Sequence, residues 1–380
     1  MNQVGAFSLG DSILLLTAES VRCSREALTL LRGDTPYLST KLWELKTKGF
    51  ILQNKKAPWA IRLSEKGANE VAQISEDAYR FYMKYSYGNR PGSTERHIEA
   101  QIKISEIHAL LSQAGIKIGS QKPSPADILA GKVPRLAMAD NGAFFMNREM
   151  RFSETQKVSR AQISRSSGIL YSKGVTGLVY NTRNEVLGIG KTAERETNFR
   201  IEQSGPLLFY DAIKGGIKDS IIIGHSLQAA NLILTEQSNL DAKRRHLGDA
   251  VKNPRITGTE FRFIPLNTDG ITSMKVITSR SRSEILAALF REDEIEKAAN
   301  DVLQSDAIIG NLHCFETVSC NLSKLYRVTQ LSSDVLRDVG LVCMEYQTDF
   351  LRNLFQKKGG IKLRVIKNQA IEHALIDKEG

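Results

Sequence analysis

Leucine and isoleucine recur at helical spacing along the first part of the chain, and the polar residues between them supply starts and stops. Residues 9–18 carry Ile13, Leu14 and Leu16, which predicts a helix. Ser24 stands where an N-cap would open a second helix over 25–31, and Glu26 and Glu19 read as residues near helix starts. Arg32-Gly33-Asp34 breaks the pattern. Thr35-Pro36 then starts a third helix, since proline is tolerated in a first turn. Leu38, Leu42 and Leu45 share one face of it, and Gly49 supplies the stop. Phe50-Ile51-Leu52 and Trp59-Ala60-Ile61-Arg62-Leu63 flank a polar tip over 53–58, the pattern of a β-hairpin. Ser64-Glu65-Lys66-Gly67 opens a further helix.

The next stretch, 76–132, reads as a helical linker. An aromatic cluster (Tyr79, Phe81, Tyr82, Tyr85, Tyr87) ends at Gly88-Asn89-Arg90-Pro91-Gly92. Ser93 then precedes a long helical pattern of Ile98, Ile102, Ile104, Ile107, Leu110 and Leu111, which makes this segment the candidate dimerisation element. Gln121-Lys122-Pro123-Ser124-Pro125 marks a turn-rich boundary.

From Val133 strands alternate with helices. Strands are expected at 168–171, 177–180 and 186–189 as a meander, with Asn181-Thr182-Arg183-Asn184 as a turn, and at 220–223, 261–265, 307–309, 339–343 and 361–365. Helices are expected at 207–213, 227–234, 283–290 and 294–303. The fold class is therefore α/β: a unit over 1–75, a linker over 76–132 and a larger mixed-sheet α/β domain over 133–380.

Composition supports a folded chain. Its 380 residues are 41% hydrophobic and 25% charged, ordinary proportions that exclude general disorder and suggest two domains. No apolar run approaches the roughly 20 residues needed to cross a bilayer, and the N-terminus has no signal-peptide pattern, so no membrane partner is expected. Four cysteines without a CxxC pair point to a reducing, cytoplasmic setting and buried thiols. His313, Cys314 and Cys320 lie close in sequence but match no common zinc spacing, so no metal is expected.

The charge is more telling. Lys and Arg outnumber Asp and Glu by 52 to 42, a net +10 that favours a polyanionic partner. Nine basic and four acidic residues fall between Ser24 and Lys66, which places part of the surplus on the first unit. The order helix, helix, turn, helix, hairpin is that of a winged helix-turn-helix, whose third helix enters the DNA major groove. With its leucines inward, Thr35, Tyr37, Ser39, Thr40, Lys41 and Glu44 face outward, groups suited to base edges and phosphates. Lys55, Lys56 and Arg62 fall in the wing, where cations reach the phosphate backbone. Further basic clusters lie at 148–183 (seven basic, two acidic), at Lys243-Arg244-Arg245 and at 352–367 (six basic, no acid).

Three catalytic-looking strings each miss a requirement. Ile223-Gly224-His225-Ser226-Leu227-Gln228 has a nucleophile-elbow outline, but Gln228 replaces the second small residue, and Ser226 reads as a helix N-cap. Gly188-Ile189-Gly190-Lys191-Thr192 resembles the end of a phosphate-binding loop, but Glu185 stands where its first glycine belongs. Glu185 with Lys191 leaves a metal-dependent nuclease as the alternative function. No catalytic residue and no cofactor is assigned.

The residues also carry two resemblances. "LSTKLWELKTKGFILQ…WAIRLSEKG" resembles the stretch found in MarR- and PadR-like winged domains. More broadly, "SRSSGILYSKGVTGLVYNTRNEVLGIGKTAERET", "IIIGHSLQAANLIL" and "DVGLVCMEYQTDFLRNLF" are similar to segments of the replication-relaxation proteins of Gram-positive plasmids and conjugative elements. That resemblance implies a double-stranded DNA-binding accessory factor in replication, conjugative transfer or transcription regulation. A replication or transfer protein, and a second copy through the 76–132 segment, are the further partners expected, and the resemblance implies no catalytic residue.

Overall fold

The computed structural model describes residues 7–32, 35–54, 57–86, 95–118, 142–146, 167–183, 219–231, 234, 260–290, 303–359 and 361–379. They form a mixed α/β structure with three sheets.

Helix α1 (Leu9–Ser20) opens on a capping box in which Ser8 Oγ accepts from the Asp11 N–H and the Asp11 carboxylate accepts from the Ser8 N–H. Strand β1 (Cys23–Ser24) leads into α2 (Arg25–Arg32), where Ser24 Oγ accepts from the Ala27 N–H at 3.1 Å, the cap expected from the sequence. Helix α3 (Pro36–Thr47) starts on Thr35, whose Oγ1 accepts from the Leu38 N–H. Leu38 and Leu45 are buried and Leu42 is half-buried. Gly49, at φ +75°, turns the chain into the antiparallel pair β2 (Ile51–Asn54) and β3 (Ala57–Leu63), and β3 also pairs with β1 to give the order β1-β3-β2.

Helix α4 (Glu65–Ile74) is stapled to the exit of α3. Ser64 Oγ donates to the Gly49 carbonyl at 2.5 Å, lies 3.1 Å from the Phe50 carbonyl and accepts from the Gly67 N–H at 2.9 Å. Lys66 Nζ donates to the Lys48 carbonyl and sits 5.2 Å from the Phe50 ring centre. The two halves of the sequence motif, Lys48-Gly49-Phe50 and Ser64-Glu65-Lys66-Gly67, are thus a single contact. Helix α5 (Glu76–Ser86) follows.

Helix α6 (Glu95–Gln113) is the hub. It packs on α1, α2 and β1 on one side and on the six-stranded sheet on the other. Residues 104–111 are buried without interruption, so the isoleucines and leucines expected to dimerise are spent inside the chain. The segment expected as a linker joins the outer parts into one core, in which Leu14, Leu28 and Leu38 share a cluster with Ile107, Val179, Ile221 and Ile264.

The six-stranded sheet has the order β4-β5-β6-β7-β8-β9: β4 (Lys117–Ile118), β5 (Ala143–Met146), β6 (Gly168–Tyr171), β7 (Thr176–Arg183), β8 (Asp219–Gly224) and β9 (Glu260–Pro265). β5, β6 and β7 are antiparallel neighbours, whereas β7, β8 and β9 run parallel. β4 falls within the expected linker yet pairs with β5. The expected turn over 181–184 is corrected. β7 continues to Arg183 because its next partner is the parallel strand β8, and the Asn181 side chain is buried against α6. The expected strand 186–189 and the helices 207–213 and 294–303 lie outside the described residues, apart from Leu303 in a turn. A helical stretch at 227–231 follows β8, as expected.

Helix α7 (Thr268–Thr278) leaves β9 through the N-cap Asn267, and α8 (Arg282–Ala288) follows. The four-stranded sheet, β10-β11-β12-β13, comprises β10 (Ala307–Ile309), β11 (Leu312–Glu316), β12 (Val339–Met344) and β13 (Lys362–Ile366), with the last three parallel. Helices α9 (Leu322–Thr329), α10 (Ser333–Leu336), α11 (Thr348–Phe355) and α12 (Asn368–Glu379) complete it. The two larger sheets meet where the Phe263 N–H donates to the Cys320 carbonyl and Ile222, Phe261 and Phe263 pack with Leu325 and Leu341. Arg262, 1% exposed, donates to Asp219 of β8 at 2.7 Å within its own sheet and to the Ser319 carbonyl at 3.3 Å across the seam. Lys324 ties Asp306 and Glu316 beside it at 2.8 and 2.7 Å. All four cysteines are buried free thiols.

Glu19 also departs from expectation. It sits in the last turn of α1 rather than near a helix start, where the carbonyl end of the helix disfavours a carboxylate. Burial pushes its carboxyl from 4.5 up to about 7.

Candidate nucleic-acid interface

The outward face of α3 gathers four of the residues predicted for it. Thr35 is exposed at the cap. Tyr37 is 53% exposed. Ser39 is exposed and its Oγ accepts from Arg25 Nη2 at 3.4 Å, which brings the start of α2 alongside. Thr40 is exposed, with Oγ1 donating to the Pro36 carbonyl at 3.0 Å.

Two predicted residues lie elsewhere. Lys41 is half-buried, its stem over Gly10 of α1 and its ammonium 2.5 Å from Glu44. That hydrogen bond raises the Lys41 pKa and lowers that of Glu44, so the pair neutralises itself on the flank of the helix. Arg62 is half-buried in β3 opposite Leu52, at the base of the hairpin rather than its tip. Its charge acts on buried Arg22, whose pKa is lowered by burial first and by Arg62 second. Lys55 and Lys56 lie outside the described residues.

The structure adds residues that the leucine pattern left out. Trp43 projects from α3 at 66% exposure, with Lys46, Thr47 and Lys48 exposed beyond it. Lys46 Nζ donates to Gln53 Oε1 at 2.8 Å, which joins α3 to the first hairpin strand. A helical wheel is the signal that finds Trp43. At about 100° per residue it lies about 140° from Leu38, almost opposite the core. Arg25, Lys46, Lys48 and Lys66 are exposed cations around this face, and Glu44, the one acid of α3, is paired.

The catalytic-looking strings do not assemble a centre among the described residues. Ser226 is exposed after β8, and its carbonyl accepts from the Ala229 N–H. His225 Nε2 lies 3.5 Å from the buried Glu106 of α6 rather than against Ser226. Glu185 and Lys191 lie outside the described residues. Cys320 Sγ is 3.0 Å from Tyr346 Oη and beside Ser273, with its thiol pKa raised by burial, so it is a packed thiol and not an activated one. No group of three His, Cys, Asp or Glu among the described residues is arranged to hold a metal ion, and no described helix is long and apolar enough to cross a membrane.

No protein-family model, no curated protein and no solved structure matches this chain.

Proposed function

We propose that the chain is a sequence-specific, double-stranded DNA-binding protein whose first three helices and hairpin act as a winged helix-turn-helix. The observation that carries this reading is the outer face of α3. Opposite the leucines it offers short hydroxyls and aromatic rings, ringed by Arg25, Lys46 and Lys48, with its single carboxylate already paired. Such a face suits base edges flanked by phosphates. The Lys55-Lys56 tip would extend the same cationic surface along the backbone. The process served is replication, conjugative transfer or transcription regulation on a plasmid or mobile element, alone or with a replication or transfer protein. A homodimer would need a surface other than the apolar residues of α6, which are buried in the chain.

The test is to select duplex fragments retained by the full chain from a random library, with and without Mg²⁺. A shared motif is expected, and affinity should fall steeply with salt. Replacing Lys55 and Lys56 together with alanine should weaken all sequences alike and reduce the salt slope by about 2, whereas Thr40→Ala should change the motif. Retention indifferent to salt and to these changes sinks the proposal. Mg²⁺-dependent cleavage lost on altering Glu185 or Lys191 would establish the nuclease alternative instead.

A further inference from the structure

Trp43 is a 66% exposed aromatic side chain, and it stands on the face of α3 turned away from the core. Thr40 and Thr47 lie three and four residues away on the same face, so the indole is framed by two small hydroxyl side chains. The next groups on this side are cationic: Lys46, held toward the hairpin by Gln53, and Arg25 over Ser39. A bare indole in water forfeits its hydrophobic burial unless a partner covers it. The cations around it select a polyanion over an apolar protein surface or a second copy, which would oppose like charges. A duplex offers its major groove one apolar group, the C5-methyl of thymine.

We propose that Trp43 reads thymine through that methyl, so that the bound sequence carries thymine under the centre of α3. The proposal rests on the reading of α3 as the DNA-facing helix. It deepens that reading by assigning one base and the residue that selects it. Thr40 and Thr47 on either side then bound the pocket in which the methyl sits, while the cations hold the flanking phosphates without sequence preference.

The experiment uses the full chain and its best retained duplex, synthesised once with thymine and once with deoxyuridine, which lacks only the methyl. The wild-type chain should bind the deoxyuridine duplex about fourfold more weakly for each methyl covered. Trp43→Ala should bind the thymine duplex more weakly, lose the discrimination, and keep its salt slope, because the indole carries no phosphate contact. Trp43→Phe should restore part of the discrimination. Since the side chain is exposed, both variants should keep the wild-type circular dichroism spectrum and melting temperature. Equal binding of both duplexes by the wild-type chain, or discrimination that survives in Trp43→Ala, overturns the proposal while leaving DNA binding intact. The same holds if Trp43→Ala converts a DNA-free dimer to monomer with discrimination unchanged, which would identify a second copy as the occupant. Failure to retain any duplex overturns the DNA reading itself, and this inference with it.

Discussion

A methyl group added at Gly67 would sit 2.0 Å from the Phe50 carbonyl oxygen, and one added at Gly270 would sit 1.8 Å from that of Pro265. Both glycines lie in the first turn of a helix, where propensity alone makes alanine better by roughly 0.5–1 kcal/mol. The backbone contact reverses that sign. Gly67→Ala and Gly270→Ala should each destabilise the chain by more than about 2 kcal/mol in urea unfolding. A neutral or stabilising result would mean that the helix starts shift freely. Glu19 makes a second prediction at this scale. Its folded pKa, about 7, lies above the ordinary 4.5, so the folded chain binds more protons than the unfolded one between those values. Stability therefore falls as pH rises from about 4.5 to 7, by about 1–3 kcal/mol after allowance for partial exposure. Glu19→Gln should remove this slope and raise the urea midpoint at pH 7.5 but not at pH 4.5. An unchanged slope would place the carboxyl in water.

What was legible in the sequence follows from how local the signals are. Ser24, Thr35, Ser64 and Gly49 mark helix ends by chemistry confined to a few residues, so α2, α3 and the hairpin could be placed from their letters. The apolar strands β6, β8, β9 and β12 stand out because they are buried on both faces. Helix α7 was unreadable for the opposite reason. Thr272, Ser273 and Thr278 are buried yet polar; Thr272 and Thr278 return hydroxyl hydrogen bonds to their own helix, and Ser273 lies against Met344 and Tyr346. The role of α6 was also hidden, since a buried seam and a dimer face share one isoleucine pattern. Its polar residues mark the difference. Glu106, fully buried, accepts from Ser24 Oγ at 3.3 Å on one side and from Asn181 Nδ2 at 2.7 Å on the other. Glu106→Ala should cost about 2–4 kcal/mol, and Glu106→Gln, which keeps an acceptor, clearly less. Amide exchange should quicken in both α2 and β7. Exchange that quickens on one side only would deny that this carboxylate ties the two together.

At the scale of the molecule, the same hub decides whether the N-terminal unit is a separable domain. The order of elements over 1–75 suggests that it is, but three of its buried polar residues are answered from outside that range. Ser20 Oγ lies 3.1 Å from His108 Nδ1, Arg22 Nε donates to Gln101 Oε1 at 2.7 Å, and the Ser24 N–H donates to Ser105 Oγ at 3.2 Å. Leu14 and Leu28 belong to the core cluster that continues through Ile107 into Val179 and Ile221. Cutting the chain after residue 75 would expose this apolar face and strand three polar groups together, in a unit small enough that its remaining core is marginal. Fragment 1–75 should therefore give a poorly dispersed amide spectrum and no cooperative melt, whereas the full chain should carry α1–α4 and the six-stranded sheet through one unfolding transition, followed by exchange at α2 and β8. A well-dispersed spectrum and a sharp melt for the fragment would make the unit autonomous and reduce α6 to a docking helix. The outer face of α3 would then move independently of the sheets instead of being held at a fixed angle by them.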